Sequence, residues 1–159
     1  MAGIFDVLRA LALLGAANAV PVIVSQLARD RWSTPLDFGY VMADGERLFG
    51  SHKTWRGLIS GMLACVAVGM LLHLPLWVGA VFAGASLLAD AVSSAIKRRM
   101  HLKPGAEYLG LDQIGEALLP LVVFARPLSL GPMDIVAIVI AFVILDVAMA
   151  QLRHRRWLQ

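Results

Sequence analysis

The sequence predicts an all-α integral membrane protein with about five transmembrane helices. Of its 159 residues, 59% are hydrophobic and only 16% are charged, whereas globular domains average roughly 45–50% apolar and about 25% charged residues. The mean hydropathy is +0.75. The apolar residues fall into runs close to the roughly 20 residues that one span needs. We therefore expect a single membrane-embedded domain over residues 1–159.

The spans can be placed in order along the chain. We expect them at residues 4–28, 56–74, 76–97, 112–127 and 132–151. Only "HLP" separates the second span from the third, which predicts an antiparallel hairpin. The fourth covers about 24 Å at 1.5 Å per residue, less than the roughly 30 Å hydrocarbon core, so it is expected to begin in a recessed, water-filled mouth. The pairs Gly57/Gly61 and Gly79/Ala83 are typical of close helix packing.

The basic residues predict the orientation. Twelve of the 14 lysines and arginines lie in segments 29–56, 97–111 and 153–156, which share one side of a five-span protein. The positive-inside rule puts these segments in the cytoplasm and the N-terminus outside. We expect a multi-pass protein of the cell membrane with its active site facing the cytoplasm. The basic pI is thus a topology signal. The sequence shows no basic surface interleaved with aromatic residues, so we expect no nucleic-acid partner.

The third helix carries a polar stripe in "SLLADAVSSAIKRRM". At 100° per residue, one arc of about 100° contains Ser86, Asp90, Ser93, Ser94 and Lys97. A carboxylate beside hydroxyls suits Mg²⁺, and Lys97 with Arg98 suits phosphate oxygens. Two plainer interpretations stay open: Asp90 and Lys97 could form an ordinary membrane ion pair, and "KRR" could serve topology alone.

The fourth helix supplies further acids. "LGLDQIGEALL" places Asp112, Gln113 and Glu116 in its first turns, with both acids on one face. This pattern predicts a metal site shared with the third helix, with Asp90 and Asp112 as core ligands and Glu116 as a third candidate. Acids are also favourable at a helix N-terminus in their own right, so capping is the alternative.

The first polar loop ends in "LFGSHKTWRG" at the base of the second helix. Lys53, Thr54 and Arg56 are candidate phosphate-binding residues there, because a helix N-terminus attracts anions. Topology would also account for these charges. Farther along the chain, Asp146 in the fifth span has no evident role and is expected to pair with an arginine.

Three of these motifs in order, "KTWRG", "ADAVSSAIKRR" and "LDQ", resemble the CDP-archaeol synthase family, which is related to the CDP-diacylglycerol synthases. "ANAVPV" and "PLDFG" support the resemblance, which runs from about Asn18 to Glu116. It implies transfer of a cytidylyl group from CTP to a membrane lipid phosphate, with release of pyrophosphate and use of Mg²⁺.

The resemblance also implies roles for individual residues. Asp90 and Asp112 correspond to metal ligands. Lys97 joins these two aspartates as a predicted catalytic residue. The positions expected to bind CTP or its phosphates are Lys53, Thr54, Arg56, Ser93, Ser94, Lys97, Arg98 and Gln113, which follows the key aspartate. The implied partners are CTP, a lipid phosphate and the bilayer. Whether the lipid is an isoprenoid ether or an acyl ester stays open, as does homo-oligomerisation.

Two rival functions make different demands on the sequence. A CDP-alcohol phosphotransferase would need an aspartate-rich signature that the sequence lacks. A small transporter or channel would use Asp90, Glu116 and Asp146 as intramembrane ion sites. The acids gather near cations at the cytoplasmic ends of helices, which favours the cytidylyltransferase.

Overall fold

A computed structural model describes residues 3–102 and 111–156, and within the second range the side chains of residues 113–149 and 151. Its helices are α1 (Ile4–Ala28), α2 (Trp55–Leu71), α3 (Leu76–Arg99), α4 (Leu111–Val123) and α5 (Pro132–Arg156). Between them, the described loops contain two isolated β-bridges. The predicted all-α fold with five helices is confirmed.

The helices differ in their capacity to cross a membrane. Within the part of the chain that the structure describes, three helices are long and apolar enough to do so, namely Ile4–Ala28, Leu76–Arg99 and the Pro132–Met149 part of α5. The apolar α2 is shorter, with 17 residues, and α4 has 13. At 1.5 Å per residue α4 measures about 20 Å, so it is shorter still than the sequence predicted. The chain turns at residues 124–129 instead of continuing the helix.

Small residues allow the first three helices to pack closely. A Cβ atom on Gly79 of α3 would lie 2.5 Å from the carbonyl oxygen of Cys65 in α2, and one on Gly61 would lie 3.0 Å from the carbonyl oxygen of Ala17 in α1. Only glycine fits either position without moving a backbone. The predicted α2–α3 hairpin is present, and the packing role of these two glycines is confirmed.

The bundle is ordered around α3. This helix packs between α2 and α4 and also contacts α1, while α5 lies against α4 and α1. The buried core includes Leu13 and Leu14 of α1, Phe82 of α3 and Leu121 of α4. The ring of Phe82 lies 5.6 Å from that of Phe124. Burying these large side chains between helices fixes the relative positions of the polar residues farther along the same helices.

The loop between α1 and α2 is folded over the end of α3. One guanidinium nitrogen of Arg99 donates to the carbonyl oxygen of Arg47 at 2.9 Å, and the other lies 3.2 Å from the Asp44 carboxylate. Arg99 therefore ties this loop to α3.

Candidate active site

The first loop and all five helices line one cavity of about 520 Å³. Its polar lining includes Lys53, Thr54, Asp90, Lys97, Gln113, Glu116 and Asp146. Its apolar lining includes Ala17, Pro21, Val22, Leu58 and Leu87. The cavity therefore offers ionic groups and hydrocarbon surface side by side, as a ligand with a charged head and an apolar tail requires.

Asp90 and Lys53 form an ion pair inside this cavity. Asp90 comes from α3, and Lys53 comes from the end of the first loop, just before α2. Their side chains are 19% and 26% exposed, respectively. The plainer interpretation of the sequence paired Asp90 with Lys97, but the structure gives Asp90 the partner Lys53. Lys97 lies along the same cavity wall.

A smaller cavity of about 90 Å³ adjoins the main one. His52, Lys53 and Lys97 line both, and the smaller one adds Phe49, Gly50, Ser94 and Arg98. Arg98 is only 4% exposed. Two lysines and an arginine line this small volume, which we call the cationic pocket, and their donors suit phosphate oxygens.

The far side of the main cavity is formed by α4 and α5. The Gln113 amide nitrogen donates to the Asp146 carboxylate at 3.2 Å, and Glu116 lines the cavity one turn farther along α4. Asp146 was expected to pair with an arginine, and the structure shows this glutamine instead. Because the polar atoms of Gln113 and Asp146 bond each other, both can be accommodated in an apolar helix pair.

The predicted metal ligands are only partly described. Asp90 and Glu116 line the same cavity, but the side chain of Asp112 lies outside the described residues. Among the residues that are described, no group of three or more His, Cys, Asp and Glu side chains is close enough to hold an ion. A site formed by Asp90, Asp112 and Glu116 stays a prediction.

Two predicted phosphate ligands face elsewhere. The guanidinium of Arg56 donates to the carbonyl oxygens of Arg29, at 2.9 Å, and Arg31, and to the Ser25 hydroxyl at 3.1 Å. These carbonyls lie just after the end of α1, where no further helical amide is available to donate hydrogen bonds to them. The Ser93 hydroxyl donates to the Asp90 carbonyl oxygen at 3.0 Å, within α3. Neither side chain lines either of these two cavities. Both make structural contacts here, and their phosphate-binding roles stay predictions.

Thr54 has a structural contact as well as a place in the cavity. Its hydroxyl oxygen accepts a hydrogen bond from the Gly57 amide at 3.2 Å and so caps the N-terminus of α2. This cap explains why α2 begins at Trp55, one residue before the predicted start. The hydroxyl proton can still be donated to a ligand in the cavity.

Sequence reasoning missed one buried acid, Asp37. Its oxygens accept hydrogen bonds from the amides of Gly39, Phe49 and Gly50 and from the Arg47 guanidinium. Burial alone would raise its pKa, but these four bonds outweigh burial and lower the pKa from 3.8 to about 2. An aspartate two residues before a glycine is itself a signal for such a capped turn.

The chain resembles known proteins over nearly all of its length. The sequence profile of the family described as "CarS-like: CDP-archaeol synthase" matches residues 7–154. The CDP-archaeol synthase of Thermofilum pendens is 44% identical over 103 residues, which are 62% of this chain and 50% of that protein. The Pyrococcus furiosus enzyme is 36% identical over 126 residues, covering 73% of this chain and 71% of the relative.

A solved structure agrees with the sequence comparison. An intramembrane enzyme of archaeal membrane lipid biosynthesis superimposes with a TM-score of 0.75 at 30% identity, covering 92% of this chain and 91% of that one. A profile match over most of the chain and a similar fold in a membrane enzyme favour an enzyme over the transporter or channel alternative. The chain is a multi-span membrane protein that belongs to the CDP-archaeol synthase family.

Proposed function

We propose that this enzyme transfers the cytidylyl group of CTP to the phosphate of an archaeal-type ether lipid and releases pyrophosphate. Its family supports the reaction and the archaeal lipid class. The observation that carries the proposal is the Asp90–Lys53 ion pair, set in a cavity with a cationic pocket on one side and apolar lining on the other. Such a cavity suits a nucleoside triphosphate and a lipid phosphate together.

The chemistry asks for charge neutralisation more than for a base. A lipid phosphate monoester is already an anion near neutral pH, so its oxygen can attack the α-phosphorus of CTP directly. A new phosphorus–oxygen bond forms there, and the bond to the β-phosphate breaks as pyrophosphate leaves. Lys53, Lys97 and Arg98 surround the pockets with positive charge, which lowers the repulsion between two anions and stabilises the leaving group.

The donor set is compatible with Mg²⁺. Asp90 and Glu116 present carboxylate oxygens to the main cavity, the ligand type that Mg²⁺ prefers, and this ion is commonly bound by one or two carboxylates together with substrate phosphates. We propose that Asp90 and Asp112 hold the ion, with Glu116 nearby. Held by these carboxylates, the ion would supply positive charge that offsets the charge developing on the phosphate oxygens.

The orientation proposed for the membrane follows from the charges. The loop that carries Lys53 and the end of α3 that carries Lys97, Arg98 and Arg99 belong to the basic side of the molecule, which the positive-inside rule assigns to the cytoplasm. CTP would reach the cavity from the cytoplasm. The lipid would enter from the bilayer, with its chains along the apolar lining and its phosphate next to Lys53.

The test uses purified protein with CTP labelled at either the α- or the γ-phosphorus. With an archaeal ether lipid phosphate and Mg²⁺, label from the α-position should enter the organic phase, and label from the γ-position should appear in aqueous pyrophosphate. Chelation of Mg²⁺ should stop both. Entry of γ-label into the lipid would identify a kinase and contradict the proposal, as would an absence of labelled lipid.

Two comparisons sharpen the result. Phosphatidate offered at equal concentration tests the lipid class, and an ether lipid preference of at least about tenfold, a difference of about 1.4 kcal/mol, is expected. The Asp90→Asn variant should lose transfer, whereas Asp30→Asn, which makes the same change on an exposed part of the first loop, should keep it.

A further inference from the structure

Asp37 is a buried carboxylate that the proposed chemistry does not use. Its side chain is 0% exposed. Oδ1 accepts hydrogen bonds from the Gly39 amide at 3.0 Å and from the Arg47 guanidinium. Oδ2 accepts hydrogen bonds from the amides of Phe49 and Gly50, both at 3.1 Å. All four donors belong to the loop between α1 and α2, so this one carboxylate connects both halves of that loop.

The bonds of Asp37 fix the turn that precedes Lys53. Gly50 has a φ of +94°, which glycine adopts without strain, and in this conformation its amide reaches Asp37. The Lys53 amide donates to the Gly50 carbonyl oxygen at 3.4 Å, and the Leu36 amide donates to the Lys53 carbonyl oxygen at 2.7 Å. The backbone of Lys53 is thus held on one side by Leu36, which precedes Asp37 in the chain, and on the other by Gly50, whose amide donates to Asp37.

The same turn forms one wall of the smaller cavity. Phe49, Gly50, His52 and Lys53 line it on the loop side, opposite side chains of α3. A Cβ atom on Gly50 would lie 3.9 Å from the Arg98 side chain, so loop and helix meet closely here. A displacement of the turn would therefore change both the cationic pocket and the position of the Lys53 ammonium group.

We infer that Asp37 is a positioning residue: by holding the turn at residues 49–53, it places the Lys53 ammonium against Asp90 and shapes the smaller, phosphate-sized cavity. The catalytic part of this inference rests on the proposed function. The placement of Lys53 does not, because it can be measured without CTP or lipid.

The first experiment measures the placement of Lys53 directly. Acylation of lysines in the purified protein is followed by mass spectrometry, site by site, without substrates. An Asn at position 37 retains only one acceptor oxygen, so Asp37→Asn should loosen the turn and raise the acylation rate of Lys53 by about 10- to 100-fold, the range for losing bonds to a buried charge. The exposed Asp30→Asn control should leave the rate unchanged.

The second experiment asks whether Asp37 acts through Lys53. In the cytidylyl transfer assay, Asp37→Asn should lower kcat/KM by about 10- to 100-fold in the wild-type background. In a Lys53→Ala background it should change kcat/KM by less than about threefold, because coupled residues are not additive. Equal factors in both backgrounds would mean that Asp37 acts independently of Lys53 and would overturn the inference.

The outcomes separate the two ideas. A protein that transfers no cytidylyl group but shows Asp37-dependent protection of Lys53 would contradict the proposed function and keep the placement. Unchanged Lys53 acylation in folded Asp37→Asn protein would overturn the placement. If Asp37→Asn does not fold, Arg47→Gln removes the guanidinium donor and leaves all three amide bonds. Lys53 acylation should then rise by a few-fold, and no rise would overturn the inference.

Discussion

Exchanging the charges of the Asp90–Lys53 pair distinguishes an ordinary membrane ion pair from a catalytic one. The double variant Lys53→Asp/Asp90→Lys keeps one acid and one base across the same contact. It moves the carboxylate from α3 to the first loop, however, whereas the other described acids of the cavity, Glu116 and Asp146, stay on helices. We expect the exchange to restore stability that either single change removes, but not activity.

The exposure of the pair sets the magnitude. The side chains keep 19% and 26% of their surface, so the pair lies between a fully exposed one, worth about 0.2–1 kcal/mol, and a buried one, whose disruption costs about 3–5 kcal/mol. Each single variant should lose about 1–3 kcal/mol of unfolding free energy. For a chain of this size, each kcal/mol lowers the Tm by roughly 2–4 °C. The double variant should recover most of that loss.

Activity should behave differently from stability. Removing one group that stabilises charge in the transition state typically lowers kcat by about 10²–10³-fold, and the double variant lacks both native groups. Thermal unfolding in detergent and label transfer from α-labelled CTP would be measured on the same preparations. Recovery of transfer along with stability in the double variant would refute the catalytic role and leave an ordinary ion pair.

Three other predictions follow from the geometry. Because the pKa of Asp37 is lowered from 3.8 to about 2, its ionised form contributes about 2 kcal/mol of stability above pH 4, which is lost as the pH falls from 4 to 2. The free energy of unfolding of Asp37→Asn should therefore depend less on pH in that range than that of the wild type. Gly79→Ala should lower the free energy of unfolding by about 1–3 kcal/mol, since its new methyl would meet Cys65 at 2.5 Å, while Gly84→Ala, with nothing within 4 Å, should not. Arg56→Ala should lower the Tm but leave the KM for CTP within about twofold, because its donors bind backbone carbonyls; a large rise in KM would restore its predicted phosphate role.

The helices could be predicted because their signals are local. Long apolar runs and a short "HLP" turn are enough to place α1, α2 and α3 within two or three residues of their observed ends. The end of α4 could not be placed this way. Its apolar pattern continues past Val123, but the helix ends at a turn over residues 124–129, where the Phe124 ring lies against Phe82.

The candidate site was predictable in composition but not in pairing. Helical spacing put Asp90 and Lys97 on one face of α3, and both line the cavity. The ion-pair partner of Asp90, however, is 37 residues away in sequence, and no periodicity relates a loop residue to a helix residue. Asp37 and Arg99 were missed for the same reason, since their importance comes from loop contacts that exist only once the loop has folded.

The cations show why charge between spans is hard to interpret from sequence. Twelve of the 14 lysines and arginines support one orientation, yet the structure divides the described ones by what their donors reach. Arg56 and Arg99 use the several donors of the planar guanidinium to hold loop carbonyls, a geometry that a lysine ammonium matches poorly. Lys53 and Lys97, with compact charges on flexible stems, line the cavity instead. Replacing an arginine of the first kind by lysine should therefore weaken the loop, whereas replacing a cavity lysine by arginine would keep the charge but crowd the space in which phosphates are expected.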